Sequence, residues 1–418
     1  MTPAAAPARP GSAGARITRL LELRAHLAAE WFPARADAIA RLCHQIARRF
    51  NLGGRLLAIG DTAAARSDVK HVVVEFVHPV IVGKRALPAI GLGDTLDDVT
   101  RDVELLATSS DVLLAFGSAP QLAAAVRVAR ERGCLTVGFA DICADWTFDP
   151  PSADPFVRQE LVETLYHVLW ELVHVFFEHR GLLSDESLPT TSNGGAASFL
   201  YPFLSNAERD LEGVLADVAR SVVAKANDVI HLRGATMKGQ EPILASARSL
   251  RSRLDAGSKV LAFGNGGSST DAMDAVADLR SPPAGLCSRP AIDLSSDAAV
   301  LTALANDIGA DSLFSRQIIA HGRAGDVAIA FSTSGNSRNI VRALEEAKRR
   351  HLVSIAFVGY DGGEIRAKQL ADHLVISPSQ YIPRIQEAQA AAWHIVRELV
   401  EDDSLLGDAS EPADTIDA

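Results

Sequence analysis

The passage that most constrains this chain occurs twice. LLAIGDTAAAR ends at Arg66 and LAFGNGGSST ends at Thr270. In each, a short apolar run meets a turn at a glycine, which is how a buried parallel strand hands the chain to a helix. The order of segments downstream of each copy also repeats. The helical segment SDVKHVVVEFV comes after the first, then LPAIGL, DVLLAFG and LTVGFA, with QLAAAVRVARERG between the last two and the long apolar helix VRQELVETLYHVLWELVHVFFE at the end. After the second come the helix DAMDAVADL, the strands PAIDL, DVAIAFS, VSIAFVG and HLVIS, and the closing helix RIQEAQAAAWHIVRELV. Helices precede both copies: Leu20, Leu23, Leu27 and Trp31 keep helical spacing, and 207–254 reads the same way. Nearly all-apolar strands that alternate with helices predict parallel sheets covered on both faces, with right-handed crossovers. The expected fold class is α/β, two doubly wound domains in tandem. Their expected bounds are 16–180 and 207–401, with a Ser/Thr/Gly/Pro-rich linker at 181–206 and disordered tails at 1–15 and 402–418.

Composition narrows the function. A chain of 418 residues suits two domains, and 48% hydrophobic against 22% charged residues can bury two cores. The net charge of −11 argues against a nucleic-acid surface, yet a small phosphate needs no more than a few backbone amides. No apolar run reaches the ~20 residues of a membrane span, and the Ala/Pro/Gly-rich start does not read as a signal peptide. Cys43, Cys134, Cys143 and Cys287 are scattered without CxxC spacing, as expected for reduced thiols in a cytoplasmic protein.

In a doubly wound sheet, ligands bind beyond the carboxyl ends of the strands. Two loops of the second half fall there: Gly264, Asn265, Gly266, Gly267, Ser268 and Ser269, and then Ser332, Thr333, Ser334, Gly335, Asn336 and Ser337. Each offers unpaired amides at a helix start with hydroxyls alongside, a natural cradle for phosphate. The lysine of GxxxxGK[ST] is missing, as is GxGxxG, so neither a nucleotide triphosphatase nor a dinucleotide site is expected. On helices, His71 and Glu75 share a face, as do Asp274 and Asp278. Gln159 and His167 stand two turns apart, so they too point to one side. His174 and His179 read as ordinary histidines of an apolar helix.

FGNGGSSTDAM, LANDIGADSLFSRQI, GDVAIAFSTSGNSRNIVRALEEAKRR, VGYDGGE and PRIQEAQAAAWHIVREL, in that order, resemble the sugar isomerase (SIS) domain family, and within it the phosphoheptose isomerase branch. The likeness spans nearly all of the second half and is fainter in the first. It implies phosphate binding by Ser268, Ser332, Thr333, Ser334 and Ser337 on the Gly266–Gly267 loop and its neighbour, with Asn265, Asp307 and Gln386 at further substrate positions. The family's base is a glutamate on the first helix with a histidine four residues before it. Its second acid/base is a histidine on the last helix with a glutamine eight residues before it, and in several members these four hold zinc. The first half keeps that set as His71, Glu75, Gln159 and His167, while GDTAAA and FGSAPQ stand where the phosphate loops should be. The second half keeps the loops, with Asp274, Asp278, Gln386 and His394 at the four positions. The resemblance thus implies zinc on the first set, or on the second.

The expectation is divided labour, in which groups of both halves serve one cleft and a homodimer completes a four-SIS assembly. Glu75 would be the base and His167 or His394 the acid in a ketose–aldose isomerisation through an enediol, from sedoheptulose 7-phosphate to D-glycero-D-manno-heptose 7-phosphate. A small phosphosugar is the expected partner, with no nucleic acid and no membrane. The rival is a non-catalytic sugar-phosphate sensor or protein-binding adaptor. A glutamine-dependent aminotransferase is disfavoured by the heptose-type loops.

Overall fold

The computed structural model describes residues 13–80, 84–93, 95–183 and 210–402. The expected linker, beyond 183, and most of the two tails fall outside them. The chain divides into two compact units, Leu27–Asp228 and a second formed by Val229–Ala418 together with Met1–His26. They are called the N-terminal and C-terminal units below.

The N-terminal unit is built from helix α2 (Ala36–Asn51), strand β1 (Leu56–Gly60), helix α3 (Ala63–Val77), strand β2 (Ala89–Gly91), helix α4 (Val99–Leu106), strand β3 (Val112–Phe116), helix α5 (Pro120–Glu131), strands β4 (Leu135–Gly138) and β5 (Trp146–Thr147), and helix α6 (Pro155–Glu178). Helices α1 (Ala13–Trp31) and α7 (Leu211–Thr236) each begin in one unit and end in the other. The C-terminal unit continues with α8 (Glu241–Asp255), β6 (Val260–Phe263), α9 (Gly267–Arg280), β7 (Ala291–Asp293), α10 (Ala298–Asp307), α11 (Leu313–His321), β8 (Val327–Ser332), α12 (Arg338–Arg349), β9 (Val353–Gly359), α13 (Gly363–Ala367), β10 (His373–Ser377) and α14 (Ile382–Val400).

Both sheets have five strands, all parallel. Their orders are β2-β1-β3-β4-β5 and β7-β6-β8-β9-β10, one topology used twice. Alternation along β6 explains the two covered faces. Val260 and Ala262 enter one core cluster with Ile329, Phe357 and Trp393, and Leu261 and Phe263 enter the other with Phe314, Ile340 and Leu344. Ala13 and Ile17 of α1 belong to the first of these. The N-terminal sheet alternates in the same way, with Leu57, Ile59, Leu113 and Ala115 on the face that packs Leu122 and Val126.

The repeat extends to the strand starts. The Asp111 carboxylate accepts from the Arg55 amide at 2.7 Å, and Asp326 accepts from the Lys259 amide at 3.0 Å. In each unit the strand order reverses beside the first strand, so the crevice opens between the loops after β1 and β3, and after β6 and β8. Among the described residues no helix is long and apolar enough to cross a membrane.

Candidate active site

In the C-terminal unit, two glycines shape the first loop. A Cβ on Gly264 would sit 2.0 Å from the Ser268 carbonyl oxygen, and Gly266 has φ +55°, a conformation that suits glycine. Helix α9 then starts with no side-chain cap on its amides. The second loop, 333–337, is folded on its own hydroxyls. Ser332 Oγ accepts from the Gly335 amide at 3.1 Å, and Ser334 Oγ accepts from the Asn336 amide at 3.2 Å. Gly335, at φ +66°, packs so closely on Gly362 that a Cβ would lie 2.3 Å from its carbonyl oxygen. Helix α12 also starts without a side-chain cap at Ser337.

The two loops are clipped together by reciprocal amide hydrogen bonds, Asn265 Nδ2 to Asn339 Oδ1 at 2.9 Å and Asn339 Nδ2 to Asn265 Oδ1 at 2.8 Å. Beneath them Gln389 Nε2 donates to the Ser332 carbonyl oxygen at 3.4 Å. Asn339 and Gln389 were not singled out in the sequence, although both lie in stretches quoted for the family likeness. Two uncapped helix starts side by side concentrate partial positive charge and free donors at one place, which suits a phosphate.

Behind the loops lies a buried polar cluster. His394 Nε2 is 3.3 Å from Asp274 Oδ2 and 3.6 Å from Asp278 Oδ2. Trp393 Nε1 donates to Asp278 Oδ2 at 2.8 Å. Burial, and then the neighbouring Asp274 carboxylate, push the Asp278 carboxyl up to about 8 against the opposing pull of His394. Gln386 is buried on the same helix as His394. Asp307 is exposed at the end of α10, its Oδ1 accepting from Asn306.

The N-terminal unit answers each feature with a difference. Gly60 faces the Ala65 carbonyl oxygen, five residues on, where Gly264 faces that of Ser268, four residues on. Thr62 caps α3 by accepting from the Ala65 amide at 3.0 Å. The loop after β3 is reduced to Gly117–Ala119, and its amides are taken: Asp61 Oδ2 accepts from Ser118 at 2.7 Å and from Ala119 at 2.8 Å.

The side-chain cluster of this unit is intact. His71 Nε2 lies 3.3 Å from His167 Nε2 and 3.9 Å from Glu75 Oε1. His71 Nδ1 meets the Tyr166 hydroxyl at 3.0 Å, and that hydroxyl lies 3.4 Å from Asp68 Oδ1. Burial, and then the charge of Glu171, push Glu75 up to about 8. Its Oε2 is buried without a hydrogen-bond partner among the described residues. Glu163, one turn before His167, brings its carboxylate within 4.8 Å of both imidazoles and was missed in the sequence. Gln159, a further turn back, is half-buried. His174 is a core histidine, its ring nitrogens on the Trp170 and Arg85 carbonyl oxygens at 2.7 and 3.1 Å. Within one unit, then, the structure joins His71, Glu75 and His167. Within the other it joins Asp274, Asp278 and His394.

A SIS domain family model matches residues 208–359. A phosphoheptose isomerase of Thermodesulfovibrio yellowstonii is 45% identical over 161 residues, which are 37% of this chain and 77% of that protein. One of Citrifermentans bemidjiense is 45% identical over 162 residues, 38% of this chain and 83% of that protein. The solved structure of tagatose-6-phosphate ketose/aldose isomerase from Escherichia coli superposes with a TM-score of 0.55, covering 99% of this chain and 97% of that one. At 13% identity that likeness speaks for the fold alone. With relatives this similar over most of their own length, the chain belongs to the SIS domain family.

Proposed function

We propose that the C-terminal unit binds a phosphorylated ketose and interconverts it with its aldose through an enediol. Sedoheptulose 7-phosphate and D-glycero-D-manno-heptose 7-phosphate are the pair that the heptose-type loops imply. The observation that carries this reading is the pair of uncapped helix starts, α9 and α12, clipped together at the strand-order reversal and lined with serine hydroxyls. Gripping the phosphate there fixes the register of the sugar and orients its reacting carbons.

Asp278 stands at the position of the family's base, and a carboxyl raised towards neutrality suits abstraction of a carbon-bound proton. His394, 3.6 Å from Asp278 Oδ2, would move the accompanying proton between the two sugar oxygens. A competing assignment gives the base to Glu75, which is raised as far and adjoins two histidines. A sensor is the second functional reading, favoured by the hydrogen bond that already ties Asp278 to Trp393.

Incubation with sedoheptulose 7-phosphate in deuterated water, monitored by NMR, should show deuterium at C1 or C2 together with the aldose product. Saturable binding without exchange identifies a sensor. Ser334→Ala should weaken phosphosugar binding by roughly 10- to 100-fold, as loss of hydrogen bonding to a charged group does. Unchanged affinity in that variant overturns the assignment of the cradle.

The family's zinc fits the residues of the N-terminal unit. Ligand atoms about 2.0–2.1 Å from a tetrahedral ion stand about 3.3–3.4 Å apart. The two Nε2 atoms of His71 and His167 are 3.3 Å apart. The Tyr166 hydroxyl, set to donate to Asp68, leaves its oxygen to accept from His71 Nδ1–H, which frees the Nε2 lone pair. His71, His167 and Glu163 would hold the ion, with Glu75 beside them. When bound, zinc supplies a Lewis acid and a cross-link between α3 and α6. The C-terminal cluster offers a poorer donor set, with Asp278 Oδ2 already engaged by Trp393.

Titration with cobalt(II) after chelation should give one equivalent of visible d–d absorption per chain. That absorption should be lost in His167→Asn and Glu163→Gln and kept in His394→Asn. The opposite pattern moves the ion to the C-terminal unit.

A further inference from the structure

We infer that Asp61 is a resident substitute for a phosphate, one that closes the N-terminal unit to anionic sugars and leaves each chain a single phosphosugar site. The inference rests on the reading that the loops after β6 and β8 hold a phosphate.

The two units share one strand order, so the loops after β1 and β3 occupy in the N-terminal unit the place that the cradle occupies in the other. The amides of Ser118 and Ala119, in the turn that leads into α5, are donors of the same kind as those of the loop that leads into α12. In the N-terminal unit they are spent on the chain's own carboxylate, Asp61 Oδ2, at 2.7 and 2.8 Å. These are short, charge-assisted bonds of the sort a phosphate oxygen would make.

The fit is mutual. Gly117 has φ +124°, and a Cβ there would lie 2.0 Å from Asp61 Oδ1, so the loop is moulded to the carboxylate. Thr62 fills the start of α3 in the same manner, through the Ala65 amide. At the corresponding turn of the other unit stands Asn265. It is neutral and engages Asn339 rather than any helix-start amide. An incoming phosphate at the N-terminal position would meet both an occupied nest and a like charge.

The test adds inorganic phosphate to the full chain and tracks binding by 31P NMR and by melting temperature. Wild type should bind one phosphate per chain. Ser334→Ala should be about half occupied or less at the lowest concentration that saturates wild type. Adding Asp61→Ala to that variant should restore one site per chain and a phosphate-dependent rise in melting temperature. Asp61→Asn, which keeps an accepting oxygen in the nest, should restore neither.

Two phosphates on the wild-type chain overturn the inference. So does a folded Asp61→Ala or Asp61→Gly protein that takes up no phosphate beyond its parent. If wild type and Ser334→Ala bind alike, the assignment of the C-terminal cradle fails. The gain on removing Asp61 is still read against its own parent.

Discussion

Asp278→Asn is expected to lower kcat for the ketose phosphate by about 10²–10⁴-fold, the usual cost of losing a positioned general base, while KM moves by only a few-fold. The separation comes from the layout of the site. In the proposed site the loops after β6 and β8 hold the anion, and Asp278 lies on α9 in contact with Trp393 and His394. A residue that acts on the proton and not on the phosphate lowers kcat and kcat/KM together. Asparagine keeps the shape and can still accept the Trp393 hydrogen bond, so the loss reads proton transfer and not packing. Glu75→Gln is the paired measurement. Full turnover in Asp278→Asn with loss in Glu75→Gln transfers the base to the N-terminal unit.

The range of each interaction decided how much of this was legible in the sequence. The strands LLAIG, VLLAF, VLAF and VAIAFS fall inside the runs expected for them, because a strand buried on both faces must be apolar throughout. Trp146–Thr147 makes the fifth strand of its sheet and was not anticipated, since two residues carry no periodicity. The i, i+4 pairs were legible because helical spacing alone places His71 over Glu75 and Asp274 over Asp278. Glu163 has the same i, i+4 signal relative to His167, but it is not one of the four positions that the family likeness marks.

Asp61 shows where reading along the chain stops. The sequence displays an aspartate in place of Asn265 and suggests a loop that has lost its anion site. That its carboxylate reaches amides 57 and 58 residues later depends on β1 and β3 being neighbours in the sheet, with Gly60 opposite Phe116. The loop had not merely decayed. An acidic side chain took over two loop amides, those of Ser118 and Ala119, that a ligand would otherwise satisfy.

The stability of the metal-free protein should fall as pH rises from about 5 to about 8, and Glu75→Gln should remove a large part of that slope. The Glu75 carboxyl moves from an ordinary 4.5 to about 8, chiefly through burial and then through Glu171. Between those values the native state keeps a proton that the unfolded chain has released, so folding is favoured at the acidic end. The contribution is whole below about 4.5 and is lost by about 8. The gap corresponds to roughly 4–5 kcal/mol at its fullest. For a unit of this size that is on the order of 10 °C in melting temperature. Glutamine mimics the protonated carboxyl at every pH, so the variant should match wild type near pH 4.5 and gain on it steadily, with the fullest lead by about pH 8. Asp278, raised by burial to the same region, contributes a slope of the same sign that Asp278→Asn should remove in turn. A constant offset between Glu75→Gln and wild type would report only how well the amide packs. Melting curves that run parallel from pH 5 to 9, with or without such an offset, would mean that Glu75 titrates in the fold as it does in the unfolded chain and contributes no slope.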